Sequence, residues 1–353
     1  MLFLYDDALL GIVFLILFNN QNFSVFSMAI GSLPIYKSSL LKMHNYAYKV
    51  VNMKKFLGIL IVALIAVSSV FAGGSSEQAY KIGIPDDATN GARGIKLLEK
   101  AGLITVDPAV GYSPEIKDIT SYIYNIEIVP TTANTLVSTL DDFAASTING
   151  TYATSAGLVP SRDAILIESQ DEGEENPFVN IIVARTADKD NPVYKKIVEA
   201  YQTEYVAEYL LAKYNEAYFP AFPYDSSSVQ YPDVVSDADN YKSSKEGKTV
   251  VKIGVCGSAN EYWNAVQKVL DQENANIYIE RVEFDAYTLP NEALNSGDID
   301  LNAFQHKAYL AKEIAANGYD LTVIGDTLIA PLSLYSHKAD SLDALKELIG
   351  LKK

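Results

Sequence analysis

The sequence is poor in the residue types on which metal, disulfide and nucleic-acid chemistry depends. Its 353 residues include one cysteine, Cys256, and three histidines. A single thiol cannot form an internal disulfide, and no Cys/His cluster has the spacing of a zinc site. Acidic residues outnumber basic ones by 44 to 28, which gives a formal net charge of −16. Without a basic patch to meet phosphates, the chain is not expected to bind nucleic acid.

Sequence motifs of catalysis are missing as well. The chain has no G-x-S-x-G elbow, no Walker loop, no G-x-G-x-x-G after a strand and no H-E-x-x-H. His306 lies in a plausible site, but no sequence signal pairs it with a nucleophile. We therefore expect no enzymatic activity, no cofactor and no bound metal.

The first 72 residues have the pattern of targeting sequence. Met53 opens a short basic stretch, an apolar run follows at 56–71 (FLGILIVALIAVSSVF), and Ala72 ends a cleavage site. The run has about 16 residues, fewer than the ~20 that a spanning helix needs, so the pattern predicts a cleaved signal peptide at 53–72. Residues 1–52 are interpreted as a leader from an over-extended start, with Met53 as the initiator. The protein is expected to be secreted across the cytoplasmic membrane.

From residue 80 onward, predicted strands alternate with predicted helices. This alternation favours mainly parallel sheets with helices on both faces. Residues 80–186 and 249–353 form two such units of similar size, and amphipathic helices fill 187–222. The stretch 223–248 is polar and aperiodic, as in a linker. The pattern predicts an α/β protein with two lobes and a cleft between them.

Several polar residues lie where α/β folds bind ligands, at strand ends and helix starts. The segment DDATNGAR (86–93) follows a strand and starts a helix, with Arg93 in its first turn. The planar fork of Arg93 can hold a carboxylate bidentately. On spacing alone, a solvated helical arginine is the more common case. Asn149 ends a strand, and Asn180 interrupts an apolar run, where a buried amide needs partners. The plain alternatives are a turn asparagine at 149 and an internally satisfied one at 180.

Aromatic side chains gather in two loop regions of the second unit. They are Tyr287, Phe304, His306 and Tyr309. For each ring taken singly, ordinary core packing is the common explanation. As a group they are candidates for the wall of an apolar pocket.

Four segments resemble motifs of the methionine-binding lipoproteins that supply ABC importers. They are IGIPDDATNGARGIKLLEKAGLI (82–104), VNIIVAR (179–185), VEFDAYTLPNEAL (282–294) and GDIDLNAFQHKAYL (297–310). The resemblance covers nearly all of 80–222 and 249–353. It implies a type II periplasmic-binding-protein fold, in which two α/β lobes close around a hinge on one amino acid. The implied partners are methionine or a close relative and a membrane ABC permease, and the implied state is a monomer.

The resemblance also implies roles for the candidate residues. Arg93 would hold the α-carboxylate of the ligand, and Asn149 and Asn180 its polar α-carbon end, with the larger share at Asn180. The side chains Tyr287, Phe304, His306 and Tyr309 would enclose the thioether. Each sulfur–ring contact would contribute roughly 0.3–1.5 kcal/mol.

The chain departs from the family pattern in two ways. Gly73 stands where the family carries its lipid-modified cysteine, so a lipid anchor has no acceptor. The order of the two segments is also inverted, which predicts a circular permutation in which 223–248 joins the former ends. A flexible tether of this length averages about 27 Å. The predicted consequence is a single covalent crossing between the lobes, after 179–185, with the helices of 192–214 packed on the lobe of 249–353.

Other functions are kept as alternatives. One is a binding protein for another small amino acid or for a methionine-containing dipeptide. Another is a folded recombination remnant without a transport role. An enzyme acting on an amino acid is the least favoured, because no nucleophile and base are paired.

Overall fold

A computed structural model describes residues 3–7, 12–19, 22–27, 78–168, 176–215 and 217–352. The chain divides into two compact units, Met1–Ser76 and Glu77–Lys353. In the first, β1 (Phe3–Asp7), β2 (Ile12–Asn19) and β3 (Asn22–Ser27) form an antiparallel sheet. The predicted signal peptide, 53–72, lies outside the described residues. Within the described part of the chain, no helix is both long and apolar enough to cross a membrane.

The second unit alternates strands and helices, as the sequence predicts. Its elements from 78 to 215 are β4 (Tyr80–Pro85), α1 (Ala88–Lys100), β5 (Ile104–Val106), β6 (Ile119–Tyr122), β7 (Ile126–Thr131), β8 (Ala145–Ile148), α2 (Gly150–Ser155), α3 (Pro160–Asp163), β9 (Ala164–Ile167), β10 (Ile181–Arg185), α4 (Pro192–Tyr201) and α5 (Glu204–Tyr214). Those that follow are β11 (Phe219–Pro220), α6 (Val234–Asp239), β12 (Thr249–Cys256), α7 (Tyr262–Gln272), β13 (Ile277–Phe284), α8 (Pro290–Ser296), β14 (Leu301–Asn302), α9 (Lys307–Asn317), β15 (Leu321–Asp326), β16 (Leu328–Ile329), β17 (Ser333–Tyr335) and α10 (Leu342–Ile349). Short 3₁₀ turns lie at Pro108–Val110, Ile116–Asp118, Ala133–Thr135, Leu140–Asp142 and Thr186–Asp188.

Lobe 1 is built on a five-stranded sheet in the order β7-β4-β8-β17-β9. Strand β4 runs parallel to β7 and β8, and β17 runs antiparallel to β8 and β9. Its core joins Ile82 of the sheet to Leu98 of α1 and Leu345 of α10. Helix α1 begins at Asp87, whose carboxylate accepts hydrogen bonds from the backbone N–H groups of Thr89 and Asn90 at 3.1 and 2.8 Å. This cap fixes the start of the helix that carries Arg93.

Lobe 2 is built on the other five-stranded sheet, in the order β13-β12-β14-β10-β15. Strand β12 runs parallel to β13 and β14. Helices α4, α5 and α7 pack on it, and Tyr201, Val251 and Trp263 share one apolar core. The helices of 192–214 therefore lie on the lobe that contains β12, where the sequence analysis places them.

The lobes are not divided at the boundaries that the sequence predicts. Strand β10 lies within 80–186 but belongs to lobe 2, between β14 and β15. Its residues 181–184 are fully buried, which suits a strand covered on both faces. Conversely, β17 and α10 lie within 249–353 but belong to lobe 1. Strand pairing between distant segments decides this division, and local sequence patterns do not report it.

Within residues 78–352 the chain crosses between the lobes twice, so the predicted single crossing is wrong. The first crossing joins β9 to β10, and the second, at 330–332, joins β16 to β17. The two crossings are hydrogen-bonded to each other. The N–H of Glu168 donates to the carbonyl of Leu332 at 3.0 Å, and the N–H of Asn180 donates to that of Leu328 at 2.8 Å. The hinge therefore consists of two paired segments.

The stretch 223–248 is not the loose polar linker that its composition indicates. It contains α6, in which Val234 and Ala238 are buried in the core of lobe 2. The carboxylate of Glu208 on α5 accepts hydrogen bonds from the backbone N–H groups of Gln230 and Tyr231 at 2.5 and 2.7 Å. Two apolar residues, four positions apart, are enough to pack this segment on lobe 2. Because Ser and Asp residues surround them, the sequence of the segment resembles that of a linker.

The last described residues lie beside the first strand of lobe 1. The N–H of Asn125 donates to the carbonyl of Gly350 at 3.0 Å, and its carbonyl accepts from the N–H of Tyr80 at 2.9 Å. Leu351 forms a β-bridge with Tyr124. Gly350 and Tyr80 are therefore both hydrogen-bonded to Asn125 and lie close together.

Candidate ligand-binding site

A cavity between the two lobes brings together all seven candidate residues. Its lining includes Arg93, Asn149, Asn180, Tyr287, Phe304, His306 and Tyr309, together with Asn90, Gly150, Thr151, Gln305 and Ala330. The cavity is narrow, with a volume of about 20 Å³, little more than one water molecule requires. An amino acid can enter only if the lobes separate or the rings move aside.

Arg93 is 4% exposed and has three sets of contacts. Its Nε and Nη2 donate to the two carboxylate oxygens of Glu168 at 3.0 and 2.5 Å, and its Nη1 donates to Asn90 Oδ1 at 3.0 Å. The ring of Phe178 lies 4.6 Å below the guanidinium carbon. A guanidinium has five N–H donors, so two of them are not used by these contacts. Arg93 is thus held in a fixed orientation with donors to spare.

His306 is held as a neutral ring. Its Nδ1 accepts a hydrogen bond from the backbone N–H of Tyr309 at 3.2 Å, at the start of α9. The hydrogen therefore resides on Nε2, which lies 3.2 Å from Asn90 Oδ1 and donates to it. Burial, and then the positive charge of Arg93, hold the pKa of His306 well below its ordinary value. Because Asn90 belongs to lobe 1 and His306 to lobe 2, this bond also joins the lobes.

The two asparagines differ in how their polar groups are used. Asn149 is 5% exposed, precedes α2 and makes no capping bond with its side chain. Among the described residues, Asn149 Oδ1 is a buried acceptor without a hydrogen-bond partner. Asn180 is half-buried, and its backbone forms hydrogen bonds with Leu328 and Thr327 in the adjacent segment of the same chain. Asn149 therefore offers a free acceptor, whereas the backbone of Asn180 fixes the hinge beside the cavity.

The opposite wall of the cavity is aromatic. The ring of Tyr287 lies 5.8 Å from that of Phe304 and 6.1 Å from that of Tyr309, and Tyr152 stacks on it at 4.7 Å. Burial raises the pKa of the Tyr287 phenol well above its ordinary value, so the phenol remains neutral. These contact distances are those of favourable ring pairs.

A buried cluster of amides supports this wall. Asn291, Asn302 and Gln305 are at most 3% exposed and are linked by hydrogen bonds of 2.6 to 3.0 Å. They join the segments 282–294 and 297–310, which carry the four aromatic candidates. Satisfied buried polar clusters fix local geometry, so the rings sit on a rigid base.

Three further contacts close the lobes on each other. The hydroxyl of Tyr152 donates to the carbonyl of Asp285 at 3.0 Å. Ser155 Oγ accepts from the N–H groups of Ser258 and Ala259 at 3.0 and 3.2 Å. Gly257 permits this approach, because it has a φ of +70° and a Cβ there would lie 2.5 Å from Ser155 Oγ. The structure is thus a closed form.

Sequence reasoning missed three residues of the site. Glu168 and Phe178 lie on either side of 169–175, far from Arg93 along the chain, and no motif signals their contact with it. Asn90 is part of DDATNGAR, and its position three residues before Arg93, on the same helix face, could have identified it. That the seven candidates bind a ligand stays a prediction.

Comparison with known proteins identifies relatives in two segments of the chain. The model of the NlpA lipoprotein family matches residues 76–222 and 251–348. The D-methionine-binding lipoprotein MetQ of Escherichia coli K12 is 40% identical over 134 residues, which are 37% of this chain and 48% of that protein. Outer membrane lipoprotein 2 of Mannheimia haemolytica is 38% identical over 135 residues, 38% of this chain and 47% of that protein. The chain spans about half the length of the curated relatives it matches.

Solved structures align over similar portions. A nutrient binding protein from Burkholderia cenocepacia bound to methionine is 30% identical and covers 39% of this chain and 57% of its own, with a TM-score of 0.35. The methionine binding protein MetQ is 35% identical and covers 28% of this chain and 41% of its own, with a TM-score of 0.26.

Proposed function

Because the chain belongs to the NlpA lipoprotein family, we propose that it is an extracytoplasmic substrate-binding protein that captures methionine for an ABC importer. The observation that carries this proposal is the composition of the cavity. One wall has a cation with unused donors and a free amide acceptor, and the other has three rings. A small molecule with a carboxylate, an ammonium and an apolar thioether matches these walls group by group.

In this proposal Arg93 binds the ligand carboxylate through its two unused donors. Asn149 Oδ1 accepts from the ammonium, and Asn180 lies beside the same α-carbon. The rings of Tyr287, Phe304 and Tyr309 enclose the thioether, where sulfur–ring contacts contribute roughly 0.3–1.5 kcal/mol each. Neutral His306 donates a hydrogen bond to Asn90 and adds no charge to the cavity.

Isothermal titration with L-methionine and D-methionine tests the proposal. We expect one ligand per chain and saturable binding of at least one enantiomer, with alanine and the dipeptide alanyl-methionine much weaker. Tighter binding of the dipeptide would favour the alternative of a peptide-binding protein. If none of the four ligands binds, the result would contradict the proposed function and favour the recombination remnant.

The permuted order of the chain is part of the proposal. It is supported by the family match to both segments, whereas single alignments with curated relatives cover 37–38% of the chain. The proximity of Gly350 and Tyr80 beside Asn125 also supports it, since one short connection there would restore the family order.

A chain that runs from 223 to 353 and continues directly into 80–222 tests the permutation, because it keeps α6 and its contacts with lobe 2. Both crossings between the lobes are retained in either order, so we expect this chain to fold and to bind methionine with unchanged affinity. A rejoined chain that cannot fold would contradict the permutation.

The remaining parts of the proposal concern location and assembly. We propose secretion as a monomer without a lipid anchor, because Gly73 occupies the position of the family cysteine. Intact-mass measurement of the secreted form would show added acyl mass if this is wrong. Sedimentation would show a dimer if the monomer is wrong.

A further inference from the structure

Glu168 forms an ion pair with Arg93, although an arginine can bind a ligand carboxylate without such a partner. Its two oxygens take the Nε and Nη2 edge of Arg93 at 3.0 and 2.5 Å, and the two side chains are 19% and 4% exposed. Glu168 Oε2 also accepts the N–H of Leu332 at 3.0 Å. Glu168 does not line the cavity, so it touches no ligand there and acts by orienting Arg93 and by its charge.

The ion pair changes the electrostatics of the cavity. Among the described residues that line it, Arg93 carries the one full charge, because His306 is neutral. Asp87, six residues before Arg93, lies outside the cavity lining, and its carboxylate accepts hydrogen bonds from the backbone of α1 and from the amide of Asn90. Its charge is the same in every variant compared below. Glu168 offsets the charge of Arg93 at the cavity wall. The Arg93–Glu168 pair therefore presents no net charge to a ligand.

We propose that Glu168 is a positioning residue that makes the site select a net-neutral zwitterion over a ligand with a carboxylate alone. This inference rests on the proposed function. A bare carboxylate gains from Arg93 but is repelled by Glu168, whereas a zwitterion brings its own ammonium, which Glu168 attracts and for which Asn149 Oδ1 is a free acceptor. Glu168 also leaves only the two unused donors of Arg93 for the ligand.

Three ligands with the same thioether separate these contributions in the unmutated chain. They are L-methionine, 4-(methylthio)butanoate, which lacks the ammonium, and 3-(methylthio)propylamine, which lacks the carboxylate. We expect methionine to bind at least about tenfold more tightly than either. Equal binding of methionine and the butanoate would overturn the inference while leaving the proposed function in place. Failure to bind methionine would overturn both.

The variant Glu168→Gln keeps the size of the side chain and removes its charge. We expect the preference for methionine over the butanoate to fall by about tenfold or more, because the charge of Arg93 is no longer offset by Glu168. A loss of orientation at Arg93 weakens both ligands alike, since both have the carboxylate, and does not change this ratio. If both ligands weaken by the same factor, Glu168 only holds Arg93 and the inference is wrong.

Asp188→Asn provides the matched control. Asp188 pairs with Arg185 at 2.8 Å at the end of β10, away from the cavity lining. The substitution removes the same charge from the molecule and breaks a similar arginine–carboxylate pair. We expect the methionine preference to be unchanged. A change as large as that of Glu168→Gln would assign the effect to overall charge and overturn the inference.

Discussion

The two walls of the cavity come from different lobes and differ in chemistry. Lobe 1 supplies Asn90, Arg93 and Asn149, which are polar and buried. Asn90 and Asn149 lie at helix starts, and Arg93 lies in the second turn of α1. The aromatic wall comes from lobe 2 and rests on a cluster of satisfied amides. Each wall alone fits only half of an amino acid. In the proposed function, a ligand with a charged end and an apolar end contacts both lobes, which couples its recognition to closure.

The largest effect is expected from the polar wall, at Arg93. Arg93→Ala removes the partner of the ligand carboxylate and leaves Glu168 without its own, so methionine binding should weaken by about 2–5 kcal/mol. Isothermal titration measures this. Arg162→Ala serves as the control, because Arg162 is an exposed arginine paired with Asp163. Equal affinities of the two variants would place the carboxylate elsewhere.

Asn149→Ala should have the next largest effect, and it separates binding from stability. Loss of the free acceptor should weaken methionine binding by about 1–3 kcal/mol. The unliganded protein should lose no stability, because Asn149 Oδ1 has no partner to lose among the described residues. Thermal unfolding with and without methionine reports both quantities. Destabilisation of the unliganded chain would mean that Asn149 is structural.

The difference between the walls also explains what the sequence could predict. Helices α4 and α5 follow from their amphipathic pattern, and the seven lining residues are predicted from their places at strand ends, helix starts and loops together with the family resemblance. The contact of Arg93 with Glu168 spans 75 residues and depends on how β9 lies in the sheet. Likewise, the pairing of β10 with lobe 2 and of β17 with lobe 1 is decided by distant strands. Local sequence patterns indicate which residues line the cavity, but not which distant residue each one contacts.

The third effect is a pH dependence of folding stability that arises from His306, where the two walls meet. Its pKa in the folded chain is lowered, so below its ordinary value of 6.5 the unfolded chain binds more protons than the folded one. Stability from this group is therefore complete above pH 6.5 and falls by up to about 1.4 kcal/mol per pH unit below it. Denaturant titrations should show this slope reduced in His306→Gln. A slope in His306→Gln identical to that of the unmutated chain would contradict the neutral ring.

The smallest effect is expected from the aromatic wall. Phe304→Leu keeps an apolar surface and removes one sulfur–ring contact, so methionine should lose roughly 0.3–1.5 kcal/mol of binding. Affinity for alanine, which has no thioether, should not change. Phe143→Leu is the matched control, since Phe143 is as buried as Phe304 but lies outside the cavity lining. Equal losses for methionine and alanine in Phe304→Leu would indicate a general packing defect.

In the proposed function one ligand spans both walls, and a crystal structure with methionine tests this directly. We expect the carboxylate within hydrogen-bond distance of the free donors of Arg93, the ammonium at Asn149 Oδ1 and the thioether among Tyr287, Phe304 and Tyr309. Glu168 should remain paired with Arg93. Methionine bound in the reverse orientation, or to one lobe alone, would contradict the account.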